Sequence, residues 1–428
     1  MSLTEPSAVP GRPRAGHILI VVENVAVGID TRLRKQIDSL LDAGHHVSVV
    51  TRRDPANERY RADPRVRLFE HRPPPEAAGV AGYALEYGLS FLAAVAGCAR
   101  ACSARRVHVA QFCQPPDLYY PLALVLRAFG VRVVLDQRDL MPELFTARYG
   151  GSKPAVLRVL RWLERRSCRA ADRVLCVNGY LAARVMAAGA DPRQVTVVGN
   201  GPVLARTSHA RPDPALKGGR AYLCCWIGKM GRQDRLDLLL RAIRFVVVDL
   251  GRSDCRFLLL GDGECLEETR VLAHDLELDP WVGFTGWVTE DEVFAALATA
   301  DLGLDASLQA EVSPVKALEY MALGLPMAAF DLGETRAIAD GAGSFAEPGD
   351  VRKLGSLIEE LLRRPDRRRT MSRAGRERMR DRLAWERQAP AYLHAIDELL
   401  PAGAGEERRP RLPGRRVRRR DRSVATRP

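Results

Sequence analysis

Residues 311–330 read Glu-Val-Ser-Pro-Val-Lys-Ala-Leu-Glu-Tyr-Met-Ala-Leu-Gly-Leu-Pro-Met-Ala-Ala-Phe. Glu311 and Glu319 stand eight positions apart with Lys316 between them. Ser313-Pro314 is a helix-start signal: a hydroxyl cap, then a proline whose missing N–H costs nothing at the first helical position. Val315, Leu318 and Ala322 share one helical face, Gly324 supplies the stop, and Leu325–Phe330 reads as a buried strand. The free N–H groups of a helix start favour an anion, and Lys316 lies three residues before Glu319 in those first turns. A loop acid, an anion-binding helix start with a lysine, and a second acid two turns on suit a nucleotide diphosphate carrying a sugar.

A second candidate cradle is Gly228-Lys229-Met230-Gly231-Arg232-Gln233-Asp234-Arg235. It follows the strand-like run Leu223–Ile227 and leads into a helical pattern with Leu236, Leu239, Leu240 and Ile243. Strand, glycine-bearing basic loop and helix together offer N–H groups and cations to a phosphate. The plainer reading is an exposed basic loop. Composition bears on the choice: the chain has six Lys among its 65 basic residues, and Lys229 and Lys316 fall at the starts of these two helices. Cations at Lys229, Arg232 and Lys316 would neutralise a departing diphosphate without a metal, usually the largest catalytic term.

The elements that must position these groups repeat a simple alternation. Strand-like runs at His17–Val22, Val47–Thr51, Val66–Phe69, Val107–Gln111, Val131–Asp136, Arg173–Val177 and Val195–Val198 are separated by helical patterns such as Asp30–Leu41, Asp117–Ala128 and Pro154–Ala170. Further strands are expected at Phe257–Leu260, Val282–Phe284 and Asp301–Asp305, and helical spacing over Val351–Leu383 and Trp385–Leu400. Such alternation predicts α/β architecture with parallel sheets, whose ligands bind beyond the strand carboxyl ends. The loop after the first strand lacks GxGxxG, which argues against a nicotinamide or flavin site, although Gly28 permits close backbone approach and Asp30 can cap the next helix. At 428 residues two domains are expected, with the polar, Pro/Gly-rich stretch 205–220 as linker.

The net charge of +12 is unevenly spread, since residues 401–428 hold ten Arg against Glu406, Glu407 and Asp421. That Pro/Gly/Arg tail reads as a disordered, solvated segment, with attraction to an anionic membrane or polyanion as the alternative. Nine cysteines without a CxxC pair suit reduced, buried thiols in a cytoplasmic protein. Residues 1–16 lack a signal-type apolar core. Val80–Ala99 is long and apolar but interrupted by Glu86; a packed helix is preferred, and a membrane-contacting helix is the alternative.

Glu-x7-Glu running into "ALEYMALGLP" resembles the donor-sugar motif of retaining, GT-B-fold glycosyltransferases of family GT4. "AAFDLGETR" (328–336), "FAEPGD" (345–350) and "VVGNGPV" (197–203) resemble a subgroup associated with bacterial surface polysaccharides and related glycosides. The resemblance spans roughly residues 17–400. It implies two Rossmann-like, doubly wound parallel-sheet domains facing across a cleft: an acceptor domain at 17–204, a nucleotide-sugar domain at 221–384, and a crossover helix at 385–400. It further implies that Glu319 holds the ribose hydroxyls and Glu311 faces the transferred sugar. Glu311, Lys316 and Lys229 are then the catalytic set. The donor set comprises Gly28, Arg232, Arg235, Gly261, Asp262, Gly263, Trp287, Val288, Ser313, Pro314, Val315 and Glu319, with the base near Trp287 and Val288. Arg235 replaces a family glycine, which would narrow the cradle or add charge.

Three loops of the first half resemble the subgroup's acceptor side: residues 23–32, 111–117 and 136–143, contributing Asn24, Asp30, Arg32, Gln111, Gln114, Asp117, Arg138, Asp139 and Glu143. The family's usual histidines are Gln111 and Arg138 here, neither of which carries a proton near neutral pH. A front-face retaining reaction does not need such a base, because the departing phosphate can take the proton. The expectation is a cytoplasmic, metal-independent enzyme with no cofactor beyond a nucleotide-sugar donor. Its acceptor is a glycan, lipid-linked intermediate or small molecule; peripheral contact with the inner membrane face is an option, and specific nucleic-acid binding is not expected. A catalytically impaired sugar-nucleotide-binding protein and a sugar-nucleotide epimerase or hydrolase are the alternatives.

Overall fold

Short apolar runs become thirteen strands among the residues described by the computed structural model, which are 15–23, 25–73, 79–149, 153–309 and 314–401, without the side chains of 79–86 and 147–149. The expectations for the N-terminal segment to residue 14, for Asn24, Glu311 and Ser313, and for the basic tail past residue 401 lie outside the described residues.

The first sheet contains β1 (His17–Val21), β2 (His46–Arg52), β3 (Val66–His71), β4 (Val109–Gln114), β5 (Arg132–Gln137), β6 (Arg173–Cys176) and β7 (Val195–Val197), in the order β3-β2-β1-β4-β5-β6-β7. The second contains β8 (Tyr222–Ile227), β9 (Cys255–Leu260), β10 (Val282–Phe284), β11 (Leu302–Asp305), β12 (Met327–Phe330) and β13 (Gly343–Ala346), in the order β10-β9-β8-β11-β12-β13. The ladders run parallel throughout, in registers such as His17↔His46 and Leu302↔Cys224. Helices cover both faces of a parallel sheet, so its central strands are apolar on both sides; all five residues of β1 are buried. The chain therefore builds two Rossmann-like, doubly wound units. In each, strand order reverses beside the first strand, between β1 and β4 and between β8 and β11, and such reversals open a crevice at the strand carboxyl ends.

One face of the first sheet packs on helices Gly79–Ala104, Tyr120–Ala128, Pro154–Ala170 and Gly179–Ala187 through Ala94, Cys98, Leu122, Leu126, Cys168 and Leu181. Gly79–Ala104 contains a stretch long and apolar enough to cross a membrane, yet it lays Ala94, Cys98 and Ala101 against the sheet. The other face packs on helices Thr31–Asp42 and Trp385–Asp397. The last helix thus reaches back to the first sheet, with Trp385 Nε1 donating to Ser39 Oγ at 2.9 Å and the Tyr392 hydroxyl to Gln111 Oε1 at 2.8 Å. The periodic stretch expected over 351–383 is split into helices Val351–Arg363 and Pro365–Arg378, because Pro365 cannot continue the first but suits the start of the second.

Candidate active site

The crevice between β8 and β11 gathers the chemistry of the second unit. The loop leaving β8 is zipped to the loop leaving β9: Gly228 N donates to Leu260 O at 3.1 Å, Met230 N to Asp262 O at 2.9 Å, and Cys265 N to Met230 O at 3.0 Å. Gly261 makes this possible, since at φ +136° a Cβ there would lie 1.8 Å from Gly228 O. Asp262 caps its own turn by accepting from Gly263 N at 2.7 Å.

After β11 the chain returns as helix Val315–Ala322, with Pro314 at the cap position and Val315 half-buried. The proline therefore sits one position earlier than expected. Tyr320 anchors this helix over the crevice, its fully buried hydroxyl donating to Leu304 O at 3.0 Å and accepting from Ile227 N at 3.3 Å. Lys316 consequently faces the β8 loop. Its Nζ donates to Asp234 Oδ1 at 2.7 Å, lies 3.5 Å from Asp305 Oδ1, and stands 5.2 Å from the centre of the Trp226 ring. Burial alone would depress this ammonium, yet Asp305 and Asp234 hold it above the usual lysine value. A Cβ on Gly228 would approach Lys316 Cε to 3.1 Å, so the next residue, exposed Lys229, flanks the same crevice. Arg232 is exposed one turn further along that loop.

Glu319 is three residues beyond Lys316 on this helix. Burial pushes its carboxyl up to about 7, with Lys35 acting in the opposite direction and Glu290 adding to the rise. Trp287 is 76% exposed beyond β10, beside the bridge formed by Gly261 N and Gly286 O at 3.1 Å, and Val288 packs at the edge of the core. Arg235 departs from expectation. It adopts the left-handed conformation glycine would favour, φ 49°, and turns its guanidinium onto Asp237 at 2.8–2.9 Å, so it adds no free charge to the cradle.

Several residues expected to meet ligand on the first unit serve its interior instead. Gly28 approaches another loop, not a donor: its N–H donates to Asn57 Oδ1 at 3.0 Å, and a Cβ would lie 1.9 Å from Ala56 O. Arg32, 3% exposed, grips Asp136 through two nitrogens at 2.8–3.1 Å and donates to Val198 O at 2.9 Å. Gln111 is wholly buried, donating to Gln36 Oε1 at 2.9 Å while accepting from Tyr392. Arg138 bridges Asp30 and Asp136 and contacts Cys113 Sγ at 3.3 Å. Asp30 also caps helix Thr31–Asp42 by accepting from Leu33 N at 2.9 Å. Gln111 and Arg138 are thus parts of one polar network, linked through Gln36 and Asp136.

Gln114, Asp117 and Glu143 differ from these in leaving hydrogen-bonding capacity unmet. Both side-chain ends of Gln114, both carboxyl oxygens of Asp117, Gln137 Oε1 and Glu143 Oε2 are buried without a partner among the described residues. Burial, reinforced by Glu164, pushes the Asp117 carboxyl up to about 8, and burial also raises Asp139. Glu143 pairs through its other oxygen with Arg184.

Three residues absent from the expected sets lie where the two units meet, Lys35 within electrostatic reach of Glu319. Lys35 donates to Gly201 O at 2.7 Å and to Asn200 O and Oδ1 at 3.1 and 3.0 Å; burial, with Arg32 adding, pushes it down to about 7. Glu290 pairs with Arg34 at 3.0 Å and with Arg206. Glu334 accepts from Tyr180 N at 3.1 Å. One signal was available for Lys35: it too is one of the scarce lysines, on the helix that carries Leu33, Ile37 and Leu40.

The comparisons agree with this layout. Residues 27–201 match the family described as Glycosyl transferase 4-like domain, and residues 221–364 match Glycosyl transferases group 1. A Mycobacterium tuberculosis protein named GDP-mannose-dependent alpha-(1-6)-phosphatidylinositol monomannoside mannosyltransferase is 28% identical over 251 residues, 54% of this chain and 63% of that protein. The 2-deoxystreptamine glucosyltransferase of Streptomyces kanamyceticus is 29% identical over 167 residues, 38% of this chain and 41% of that protein. Both matches span less than two-thirds of the relative's own length. The crystal structure of Anabaena HepE in complex with UDP superposes with a TM-score of 0.68 at 15% identity, covering 89% of this chain and all of that one; at that identity the likeness is one of fold. With both domain families matched in order on two doubly wound sheets, the chain belongs to the GT4 glycosyltransferases of GT-B fold.

Proposed function

We propose that the chain moves a sugar from a nucleotide diphosphate sugar to a hydroxyl acceptor, with retained anomeric configuration and without a metal ion. The carrying observation is the crevice at β8 and β11, where the Lys316 ammonium, exposed Lys229 and the carboxyl of Glu319 meet one helix start and one glycine loop. Helix starts and ammonium groups favour a diphosphate, and a carboxylate one turn on can accept from two ribose hydroxyls. In the transfer, the bond from the anomeric carbon to the phosphate oxygen breaks. The acceptor oxygen bonds to the same face of that carbon, and its proton passes to the departing phosphate. Lys316, Lys229 and Arg232 offset the charge that develops there.

The names of the mycobacterial and Streptomyces relatives, a GDP-mannose-dependent transferase and a glucosyltransferase, support a nucleotide-linked donor. The acceptors in their names, a phosphatidylinositol monomannoside and 2-deoxystreptamine, both carry hydroxyl groups, which is the acceptor class assigned here. Gln111 and Arg138 no longer argue for an impaired enzyme, because both are committed to the interior. Nine free cysteines, mostly buried, suit a cytoplasmic setting.

The test is incubation of the full chain with UDP- and GDP-sugars, following thermal stability and then products by NMR with a panel of hydroxyl acceptors. Thermal stabilisation by a donor and an α-linked product from an α-donor, formed in EDTA, support the proposal. A β-linked product overturns retention, loss of activity in EDTA overturns metal independence, and no response to any nucleotide sugar overturns the function.

A further inference from the structure

The chain passes between its two units twice, once after β7 and again just before helix Trp385–Asp397, where Ala384 is buried in the second unit and Trp385 in the first. The two passages lie against each other. Trp385 N donates to Pro202 O at 3.0 Å, and Gly199 N to Gln388 Oε1 at 2.8 Å.

One side chain of the first unit touches both. Lys35, 7% exposed, donates to Gly201 O and to both oxygens of Asn200, and its Nζ stands 5.3 Å from the centre of the Trp385 ring. Three neutral oxygens use the three donors of an ammonium, so the hydrogen bonds alone do not call for a charge here. Glu319 does. It is foremost among the acids acting on Lys35, ahead of Asp30, which is already paired with Arg138; Arg32 and Arg206 act in the opposite direction. In return Lys35 acts on Glu319 more strongly than Lys316 does, although Lys316 is one turn away on the same helix. Glu290 opposes them and is itself held by Arg34 and Arg206.

We propose that Lys35 is a positioning residue for donor capture, linking the ribose carboxyl of Glu319 in the second unit to the joint between the units. The inference rests on the donor reading above and assigns that site a control residue from the other unit. A neutral side chain could satisfy Asn200 and Gly201; only a cation also keeps the nearby carboxyl charged, and a charged acceptor makes the stronger hydrogen bonds to ribose hydroxyls. Because the ammonium is fixed to both passages, moving one unit against the other withdraws it from Glu319. Nucleotide affinity therefore depends on how the two units sit.

The test is titration of UDP, GDP and pyrophosphate into the full chain and its Lys35→Gln and Lys35→Arg variants, each also combined with Glu319→Gln. Lys35→Gln keeps a donor without a charge. It should weaken nucleotide binding about tenfold at neutral pH and move the midpoint of its pH dependence up by about one pH unit or more. Pyrophosphate, which has no ribose, should bind as before, and Lys35→Arg should restore most of the nucleotide affinity. With Glu319→Gln present, Lys35→Gln should cost nothing further. Hydrogen exchange on the unaltered chain checks the same link: UDP or GDP, but not pyrophosphate, should slow the Gly199 and Trp385 amides. Equal losses for nucleotide and pyrophosphate, additive losses with Glu319→Gln, or unchanged exchange at both amides would make Lys35 a structural tie and overturn the inference, leaving the donor reading intact. A wild-type chain that takes up neither nucleotide would overturn that reading and the inference with it.

Discussion

Lys316 Nζ lies 2.7 Å from Asp234 Oδ1, across the crevice between the β11 and β8 loops. The two lysine-bearing loops, separated by more than eighty residues of sequence, are therefore tied to each other by the ammonium proposed to meet the diphosphate. Its removal withdraws a charge from the ligand and leaves two neighbouring acids, Asp234 and Asp305, uncompensated. Lys316→Ala should weaken UDP or GDP about a hundredfold, from the roughly 2–3 kcal/mol of a hydrogen bond to a charged group. Isothermal titration measures it; wild-type affinity would reduce Lys316 to a structural tie.

Glu319 titrates where function would feel it. With its carboxyl raised to about 7, it is increasingly protonated below that value and loses the charge that strengthens its acceptance from ribose hydroxyls. Nucleotide affinity should fall as pH drops from about 8 to about 6, and Glu319→Gln should flatten the profile. The linkage to stability has the opposite direction. A carboxyl whose folded value is above its ordinary 4.5 stabilises the fold at the acid end, and that contribution is lost as pH rises through about 7. Glu319→Gln should therefore raise the thermal midpoint in alkaline buffer more than at pH about 5. Parallel profiles of the two proteins would contradict this.

Arg32 and Asp136 form a pair whose loss should be felt in folding, not in donor binding. The carboxyl of Asp136 is held at about 2, since Arg32 and then Arg138 outweigh the effect of burial. Arg32→Met should cost about 3–5 kcal/mol, the usual penalty for breaking a buried ion pair from one side. Denaturant unfolding should show the loss at neutral pH, while folded protein keeps its nucleotide affinity. Asp136's contribution is present above its ordinary value of 3.8 and is lost as pH falls through about 2. Arg138→His, which restores the family residue, should lower stability without raising turnover, because it removes a partner of Asp30 and Asp136.

Two glycines separate loop support from donor binding. Gly261→Ala drives a Cβ into Gly228 O and should displace the β8 loop, weakening nucleotide affinity by about tenfold or more, a loss of over 1.4 kcal/mol. Gly28→Ala collides with Ala56 O in the first unit and should lower the thermal midpoint with little change in nucleotide affinity. Titration and thermal melts of both variants check the contrast; equal affinity losses would return Gly28 to the donor set.

The sequence by itself determined the alternation of apolar runs and helical stripes, and hence two parallel-sheet units. It also marked Lys316 and Glu319 as successive positions on one short helix, since capping and periodicity are local properties of the chain, whereas Lys229, expected at a helix start, lies on the loop leaving β8, before helix Leu236–Arg244. The shared crevice of the two lysines could not be read locally. It arises because strand order places β11 beside β8 and Tyr320 fixes the intervening helix there. Gln111, Arg32 and Gly28 belong to sequence stretches of the right kind, and only packing reveals that Gln111 lies within β4, Arg32 within helix Thr31–Asp42, and that Tyr392, Asp136 and Ala56 occupy their polar atoms or their space. Helices Met141–Tyr149 and Gly179–Ala187 and edge strand β13 were not anticipated, as their short patterns become stable only when neighbouring elements bury one side. Tertiary structure alone decided which polar residues face the cleft and which are buried beneath it, because a side chain's surroundings depend on contacts far away in sequence.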